Sequence, residues 1–192
     1  MKVRRIIRIT YFAMLSVIGA LAAYKAEPLP VTLQAFFAVL SGLVLGGTDG
    51  AISQTLYVAV GLLGLPVFAF GGGYKYAIEP TFGYLVGMIV GAYASGIILR
   101  RFKTIKFVTV LTSGLVGLVP VYVLGAAYQL IIFTSFHGYA FSDAFATLCL
   151  LPVSFAVQAV LIVLVAIIYP KAMTMIGSIN KEEFKDNGVA VQ

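Results

Sequence analysis

Charged residues are scarce in this chain. They make up 10% of its 192 residues, whereas ordinary soluble proteins carry roughly 25%. Six long runs contain no charge at all, and a helix needs about 20 mostly apolar residues to cross the core of a bilayer. We therefore exclude a soluble globular fold and predict a single transmembrane domain over residues 1–192. The uncharged runs are residues 9–24, 28–48, 50–74, 80–99, 107–142 and 144–170.

Residues for catalysis and metal binding are also few. Cys149 is the single cysteine and His137 the single histidine, which excludes an intramolecular disulfide framework and a histidine-rich metal site. The sequence contains no Ser/His/Asp arrangement, no HExxH motif and no GxxxxGK[ST] phosphate-binding loop. We expect neither an enzyme nor a cofactor-binding protein, and the chain cannot use ATP through such a loop.

Positive charge is present, and its placement is informative. The net charge is +6, and most basic residues precede the first uncharged run, separate the fourth from the fifth, or follow the sixth. In a six-helix chain these positions share one side of the membrane, which the positive-inside rule makes cytoplasmic. We predict a multi-pass protein of the cell membrane with both termini in the cytoplasm. Charges at helix ends favour contact with anionic lipid over binding to nucleic acid. Eleven of the 13 basic residues follow this pattern: Lys2, Arg4, Arg5, Arg8, Arg100, Arg101, Lys103, Lys106, Lys171, Lys181 and Lys185.

Turn residues divide the chain into an all-α bundle of six transmembrane helices. The segment from Gly46 to Gly50 is rich in glycine and indicates a turn on the cytoplasmic side. Residues 64–80 are glycine-rich and aromatic, and irregular backbone is not tolerated against lipid. We therefore predict an extracellular loop that folds over the bundle. The predicted helices are 6–24, 32–45, 51–64, 81–99, 107–133 and 144–169, followed by a polar tail at 171–192.

A few polar and small residues inside the apolar runs are candidates for function. Gln34 and Gln158 carry amides that must find partners on a neighbouring helix or on a ligand. The glycines at 71–73 are either a plain turn or a place where backbone approaches a ligand, and the aromatic residues around them favour the second interpretation. The first helix has a face of small residues that lets another helix approach, from this chain or from a partner. That face consists of Ser16, Gly19, Ala20 and Ala23.

Several motifs together resemble those of a known family over about residues 10–100. They are PVTLQ at 30–34, LY at 56–57, GLLGLPVF at 61–68, GGG at 71–73 and PTFGYLVG at 80–87. Their order and spacing are similar to those of BioY, the biotin-binding S component of energy-coupling factor (ECF) vitamin transporters. The resemblance implies a six-helix S-component bundle that binds a vitamin near its outer face. It also implies a transmembrane coupling subunit, docked on small residues of the first helix, and two cytoplasmic ATPase subunits.

The last third of the chain departs from the family pattern. The family usually has Pro-Gly-Asp and then a lysine three residues later, where polar side chains bind the ureido ring of biotin. If that proline is Pro152, the aspartate and the lysine are replaced by Ser154 and Val157. Glu79 stands where the family often has glycine or asparagine. Either Glu79, Ser154 and Gln158 replace the missing pair, or the ligand is a compound such as lipoate, whose dithiolane ring needs no such partners.

From these observations we predict an S component that binds biotin, with a related ring-plus-carboxylate vitamin as the alternative. A structural membrane protein without a ligand is a further alternative. The pocket would be lined by Gln34, Tyr57, Phe68, Tyr74 and Tyr84, with Glu79, Ser154 and Gln158 on the polar ring and Lys75 attracting the carboxylate. The partner surface would be Ser16, Gly19, Ala20 and Ala23.

Overall fold

The computed structural model describes residues 2–24, 32–136, 138–146, 148 and 151–179. The described part contains seven α-helices and one short 3₁₀ turn at Tyr74–Ile78. His137, Cys149 and the part of the predicted polar tail from residue 180 onwards lie outside it. The helices are α1 (Lys2–Tyr24), α2 (Gln34–Leu45), α3 (Gly47–Leu62), α4 (Phe82–Arg101), α5 (Phe107–Ser135), α6 (Phe141–Ala146) and α7 (Leu151–Ile179).

Four of these helices are long and apolar enough to cross a membrane: α1, α4, α5 and α7. The two helices between α1 and α4 are shorter, with 12 residues in α2 and 16 in α3. At 1.5 Å per residue α2 is about 18 Å long, well under the ~30 Å of a bilayer core. The prediction of six transmembrane helices, in which 32–45 and 51–64 are the shortest, thus corresponds to four long helices and two short ones, α2 and α3.

The turn expected between α2 and α3 is much tighter than predicted. Gly46 alone joins the two helices with φ +87°, a conformation that L side chains rarely adopt. Gly47 to Gly50, expected in the turn, form the first turn of α3 instead. Asp49 lies in that turn, where its negative charge favours the helix N-terminus. A Cβ on Gly50 would lie 2.7 Å from the Cα of Gly42, so this close approach needs glycine.

The last predicted helix, 144–169, has both ends in the wrong place. Its start corresponds to the short helix α6, and α7 begins at Leu151 with Pro152 in its first turn. Proline is well tolerated there because the first N–H groups of a helix have no intrahelical partner. At the other end α7 continues through Pro170 to Ile179 rather than ending before that proline.

Helix α4 lies at the centre of the bundle, with α5 on one side and α2 and α3 on the other. Three of its glycines, at i, i+4 and i+8, face α5 at distances that exclude any side chain. A Cβ on Gly91 would lie 2.4 Å from the carbonyl oxygen of Gly117. The glycines are Gly83, Gly87 and Gly91.

The small-residue face of α1 packs inside this chain. Ser16 and Ala20 are both 0% exposed, and Ser16 Oγ donates a hydrogen bond to Gln54 Oε1 on α3 at 3.0 Å. A Cβ on Gly19 would lie 2.9 Å from the carbonyl carbon of Leu33. The prediction that Ser16, Gly19 and Ala20 form a partner surface is therefore corrected: they are covered by α2 and α3. The side chain of Ala23 lies outside the described part.

Candidate ligand-binding site

One end of the bundle carries most of its basic residues. Arg5 at the start of α1 pairs with Asp49 of α3, with Nη2 donating to Oδ1 at 2.6 Å and Nε donating to Oδ2 at 3.0 Å. Arg100 at the end of α4 donates to the carbonyl oxygen of Leu45 at 3.0 Å. These contacts bring the start of α1, the α2–α3 junction and the end of α4 together, and we call this region the basic end.

A cluster of buried polar and aromatic side chains lies at the opposite end, where α2 begins and α3 ends. Gln34 Nε2 donates a hydrogen bond to the hydroxyl of Tyr57, and that hydroxyl donates to the carbonyl oxygen of Val67 at 3.0 Å. Tyr57 is only 1% exposed. One tyrosine thus connects α2, α3 and the glycine-rich segment that follows α3.

The glycine-rich segment folds back onto this cluster. Phe68 is buried, with its ring edge-to-face against Tyr57 at 5.5 Å between centroids and tilted by 45° against Tyr76 at 4.5 Å. The hydroxyls of Tyr76 and Thr81 share a hydrogen bond of 2.9 Å. Gly73 has φ +103° and donates its N–H to the carbonyl oxygen of Gly61 at 2.7 Å. The positive φ alone explains why residue 73 is glycine, so the plain-turn interpretation is sufficient at this position.

Burial raises the pKa of the Tyr76 hydroxyl, the hydrogen bond with Thr81 opposes the rise, and the negative charge of Glu79 adds to it. The hydroxyl therefore holds its proton at least as firmly as an unperturbed tyrosine, which is itself neutral at neutral pH.

A second set of aromatic contacts extends from α4 across α5 to α7. The Tyr84 hydroxyl donates to Gln129 Oε1 at 2.8 Å. The Tyr84 ring meets Tyr122 at 6.3 Å, and Tyr122 meets Phe155 at 5.3 Å. The predicted residue Tyr84 is thus linked to α7, the helix that carries Ser154 and Gln158.

Gln158 joins α7 to the segment that leads into α2. It is 1% exposed, and its Nε2 donates a hydrogen bond to the carbonyl oxygen of Thr32, two residues before Gln34. Ser154 is half-buried one helical turn earlier on the same face of α7.

Three predicted ligand residues lie on the surface instead. Tyr74 is 76% exposed, whereas Tyr76 is 5% exposed and packs on Phe68. Lys75 and Glu79 are also exposed. The structure therefore gathers Gln34, Tyr57 and Phe68 into one cluster and leaves the charged candidates at its outer edge.

The sequence analysis gave no site role to several residues of this region. Gln129 is an amide inside an apolar run, so the rule that selected Gln34 and Gln158 could also have selected it. Tyr76 could not be separated from Tyr74, because the 3₁₀ turn decides which ring is buried. Tyr122 and Phe155 gave no signal among many aromatic residues. Within the described ranges, no group of His, Cys, Asp and Glu comes together that could hold a metal ion.

The fold defines the class of the protein as an all-α membrane protein of the S-component type. It matches the crystal structure of the S-component for biotin from an ECF-type ABC transporter with a TM-score of 0.67. The match covers 86% of this chain and 89% of that chain at 21% identity. The model of the BioY family matches residues 1–178, and the chain therefore belongs to the BioY family.

Curated relatives agree with this assignment. The chain is 37% identical over 123 residues to the probable biotin transporter BioY of Lysinibacillus sphaericus, covering 64% of this chain and 63% of that protein. It is 42% identical over 123 residues to the biotin transporter BioY of Thermotoga maritima, covering 64% of this chain and 72% of that protein. The resemblance seen in the motifs is thus confirmed. These relatives are named as transporters, in agreement with the expectation that the chain is not an enzyme.

Proposed function

We propose that this chain is the substrate-binding S component of an ECF-type importer and that its ligand is biotin. The observation that carries the proposal is the buried cluster of Gln34, Tyr57, Phe68 and Tyr76 at the end opposite the basic residues. Small-molecule sites combine apolar and aromatic walls with a few well-placed polar groups. The names of the curated relatives supply the ligand.

The orientation follows from the charges. The positive-inside rule puts the basic end, and with it both termini, in the cytoplasm of a cell whose plasma membrane holds the protein. The tyrosine cluster then faces outwards, and residues 64–80 form an extracellular loop over the site. Biotin would enter from outside, beneath or beside this loop.

The residues divide into walls and polar partners. Tyr57, Phe68 and Tyr84 would pack on the ring and tail of the ligand, and Gln34, Ser154 and Gln158 would meet its polar ring. Lys75, exposed at the edge of the cluster, would attract the carboxylate by charge rather than by a buried contact. Glu79 and Tyr74 would contribute only if the loop closes further on the bound ligand.

The proposed partners are a transmembrane coupling subunit and two cytoplasmic ATPase subunits. Because Ser16 and Ala20 are buried, α1 would meet the coupling subunit through its opposite face, where Tyr11, Met14 and Ile18 are exposed. We expect Ile18→Trp to reduce co-purification with the coupling subunit, since a bulky ring would hold a docked helix away. Ile131→Trp, on an exposed position of α5, is the matched control and should co-purify normally.

One observation favours a second ligand class. Val157 stands where the family usually has lysine, and an apolar residue there suits a sulfur ring such as the dithiolane of lipoate. Lipoate has the same kind of short carboxylate tail, so it remains the alternative ligand.

A thermal-shift titration of the purified protein in detergent, with biotin and lipoate in parallel, tests the proposal. A ligand at 100 times its dissociation constant that binds only the folded state stabilises it by about 2.7 kcal/mol. We expect a clear upward shift with biotin. A shift with lipoate alone would reassign the ligand, and no shift with either would contradict a biotin- or lipoate-binding function.

A further inference from the structure

Only one of the two polar atoms of the Gln158 side-chain amide makes a hydrogen bond among the described residues. Its Nε2 donates to the carbonyl oxygen of Thr32. Its Oε1 is buried and has no hydrogen-bond partner among the described residues. Buried polar atoms are almost always paired, so an unpaired one calls for an explanation.

The orientation of this amide is fixed by chemistry. The backbone carbonyl of Thr32 can only accept a hydrogen bond, so the NH₂ group must face it and the carbonyl oxygen must face away. The opposite orientation of the amide would place two acceptors, Gln158 Oε1 and the carbonyl oxygen of Thr32, against each other. The unpaired Oε1 atom is therefore a hydrogen-bond acceptor that has no donor among the described residues.

Another buried amide shows how this chain satisfies such groups when it needs no ligand. Gln54, 0% exposed, accepts from Ser16 through Oε1 and donates to Ser41 through Nε2 at 3.3 Å. Both of its polar atoms are paired within the chain. Ser53 Oγ is the other unpaired buried atom in the described part, but a serine hydroxyl within a helix can rotate to bond its own backbone. The amide oxygen of Gln158 has no comparable local partner.

We propose that Gln158 Oε1 accepts a hydrogen bond from a ring N–H of the ligand, and that it selects a cyclic urea over a ring without N–H donors. This inference rests on the proposed function and adds a specificity-determining residue to it. It also gives Gln158 part of the role that the replacement of the usual family aspartate by Ser154 leaves open, since a lysine ammonium can only donate hydrogen bonds. The selectivity arises because a ligand without the N–H would bury the oxygen unpaired.

Binding of biotin and of its two carbamate analogues, each with one ring N–H replaced by oxygen, tests the proposal in detergent. The wild-type protein should bind one of the two analogues about tenfold more weakly than biotin, the loss expected for one hydrogen bond. Gln158→Met should weaken biotin by about the same factor and should no longer distinguish biotin from that analogue. If Gln158→Met does not fold, Gln158→Asn is used in its place, because it withdraws the oxygen by one methylene but keeps a polar side chain.

Gln54→Met is the matched control, because it removes a buried amide whose two polar atoms are paired inside the chain. It should lower the melting temperature and leave the ratio of biotin to analogue affinity unchanged. Equal wild-type affinity for biotin and both analogues would overturn the inference, and so would a Gln158 variant that weakens all three ligands by one factor. Failure of the wild-type protein to bind biotin at all would instead overturn the proposed function, and the inference with it.

Discussion

The two ends of the bundle are held together in different ways. At the basic end, backbone meets backbone: a Cβ on Gly42 would lie 2.0 Å from the carbonyl oxygen of Ala92, and one on Gly47 would lie 2.7 Å from that of Tyr93. At the other end, side chains make the contacts: the Tyr57 hydroxyl bonds Gln34 and the carbonyl oxygen of Val67, and the Phe68 ring packs on the Tyr57 ring. Contacts between backbones leave no volume for a ligand, whereas side chains can exchange their partners. Room for a ligand is therefore expected at the tyrosine cluster and not at the basic end.

The largest expected effect is at the basic end. We expect Gly42→Val to lower the free energy of unfolding by about 3 kcal/mol, at the upper range for overpacking, because the backbone of α4 cannot move aside like a side chain. Thermal or denaturant unfolding in detergent would measure it. Ala22→Val, at an exposed position of α1, should change stability by less than about 0.5 kcal/mol. Equal effects of the two variants would remove the contrast between the ends.

A smaller effect is expected where a single hydroxyl ties the glycine-rich loop to the bundle. Tyr57→Phe leaves Gln34 Nε2 and the carbonyl oxygen of Val67 without that partner, at a cost of about 1–3 kcal/mol. The loop should then open more often, and trypsin should cut after Lys75 about tenfold faster, because cleavage follows the open population. Tyr74→Phe changes an exposed hydroxyl and should be cut at the wild-type rate. An unchanged rate for Tyr57→Phe would show that this hydroxyl does not hold the loop.

The charge of Lys75, at the outer edge of the tyrosine cluster, should have a smaller effect, and that effect is on ligand binding. Lys75→Gln should weaken biotin binding by about two- to fivefold at low salt, and the difference should vanish at high salt, because an exposed charge acts through a screened field. Titration at two ionic strengths measures this effect. Lys103→Gln, an exposed lysine beyond the basic end of α4, provides the control and should bind as the wild type does. A salt-independent loss for Lys75→Gln would instead indicate a direct, desolvated contact.

The smallest effect should come from the ion pair that joins α1 to α3. Arg5 and Asp49 are both accessible to solvent, so we expect Asp49→Asn to shift the melting temperature less than Tyr57→Phe does. The shift should shrink further when salt is added. A larger shift than that of Gly42→Val would mean that charge, and not glycine packing, dominates the basic end.

The sequence predicted the class of fold well because scarcity of charge and the positions of basic residues are strong, long-range signals. It missed the start of α3 because a run of glycines indicates a turn locally, whereas Gly50 is required there by its close approach to Gly42, a contact that the sequence does not reveal. It also assigned the small residues of α1 to a partner. Spacing cannot distinguish a neighbouring helix of the same chain from one of another protein.

The site was predicted in part for similar reasons. Gln34, Tyr57 and Phe68 meet in the structure because they lie near the ends of elements that converge at one end of the bundle. The choice of Tyr74 over Tyr76 depended on the phase of a five-residue 3₁₀ turn, which no periodic pattern in the sequence encodes. The unpaired oxygen of Gln158 became visible only once its other amide atom was placed against Thr32.

The shortness of α3 has a consequence for the surrounding lipid. Helix α3, with 16 residues, is about 24 Å long and exposes apolar side chains such as Ile52 and Leu56, whereas α5 and α7 have 29 residues each. A body of unequal apolar height distorts a flat bilayer, and the membrane responds by local thinning or by tilting the protein. The tilt of this bundle relative to the membrane normal should therefore depend on the thickness of the bilayer, so that lipid composition would control the tilt.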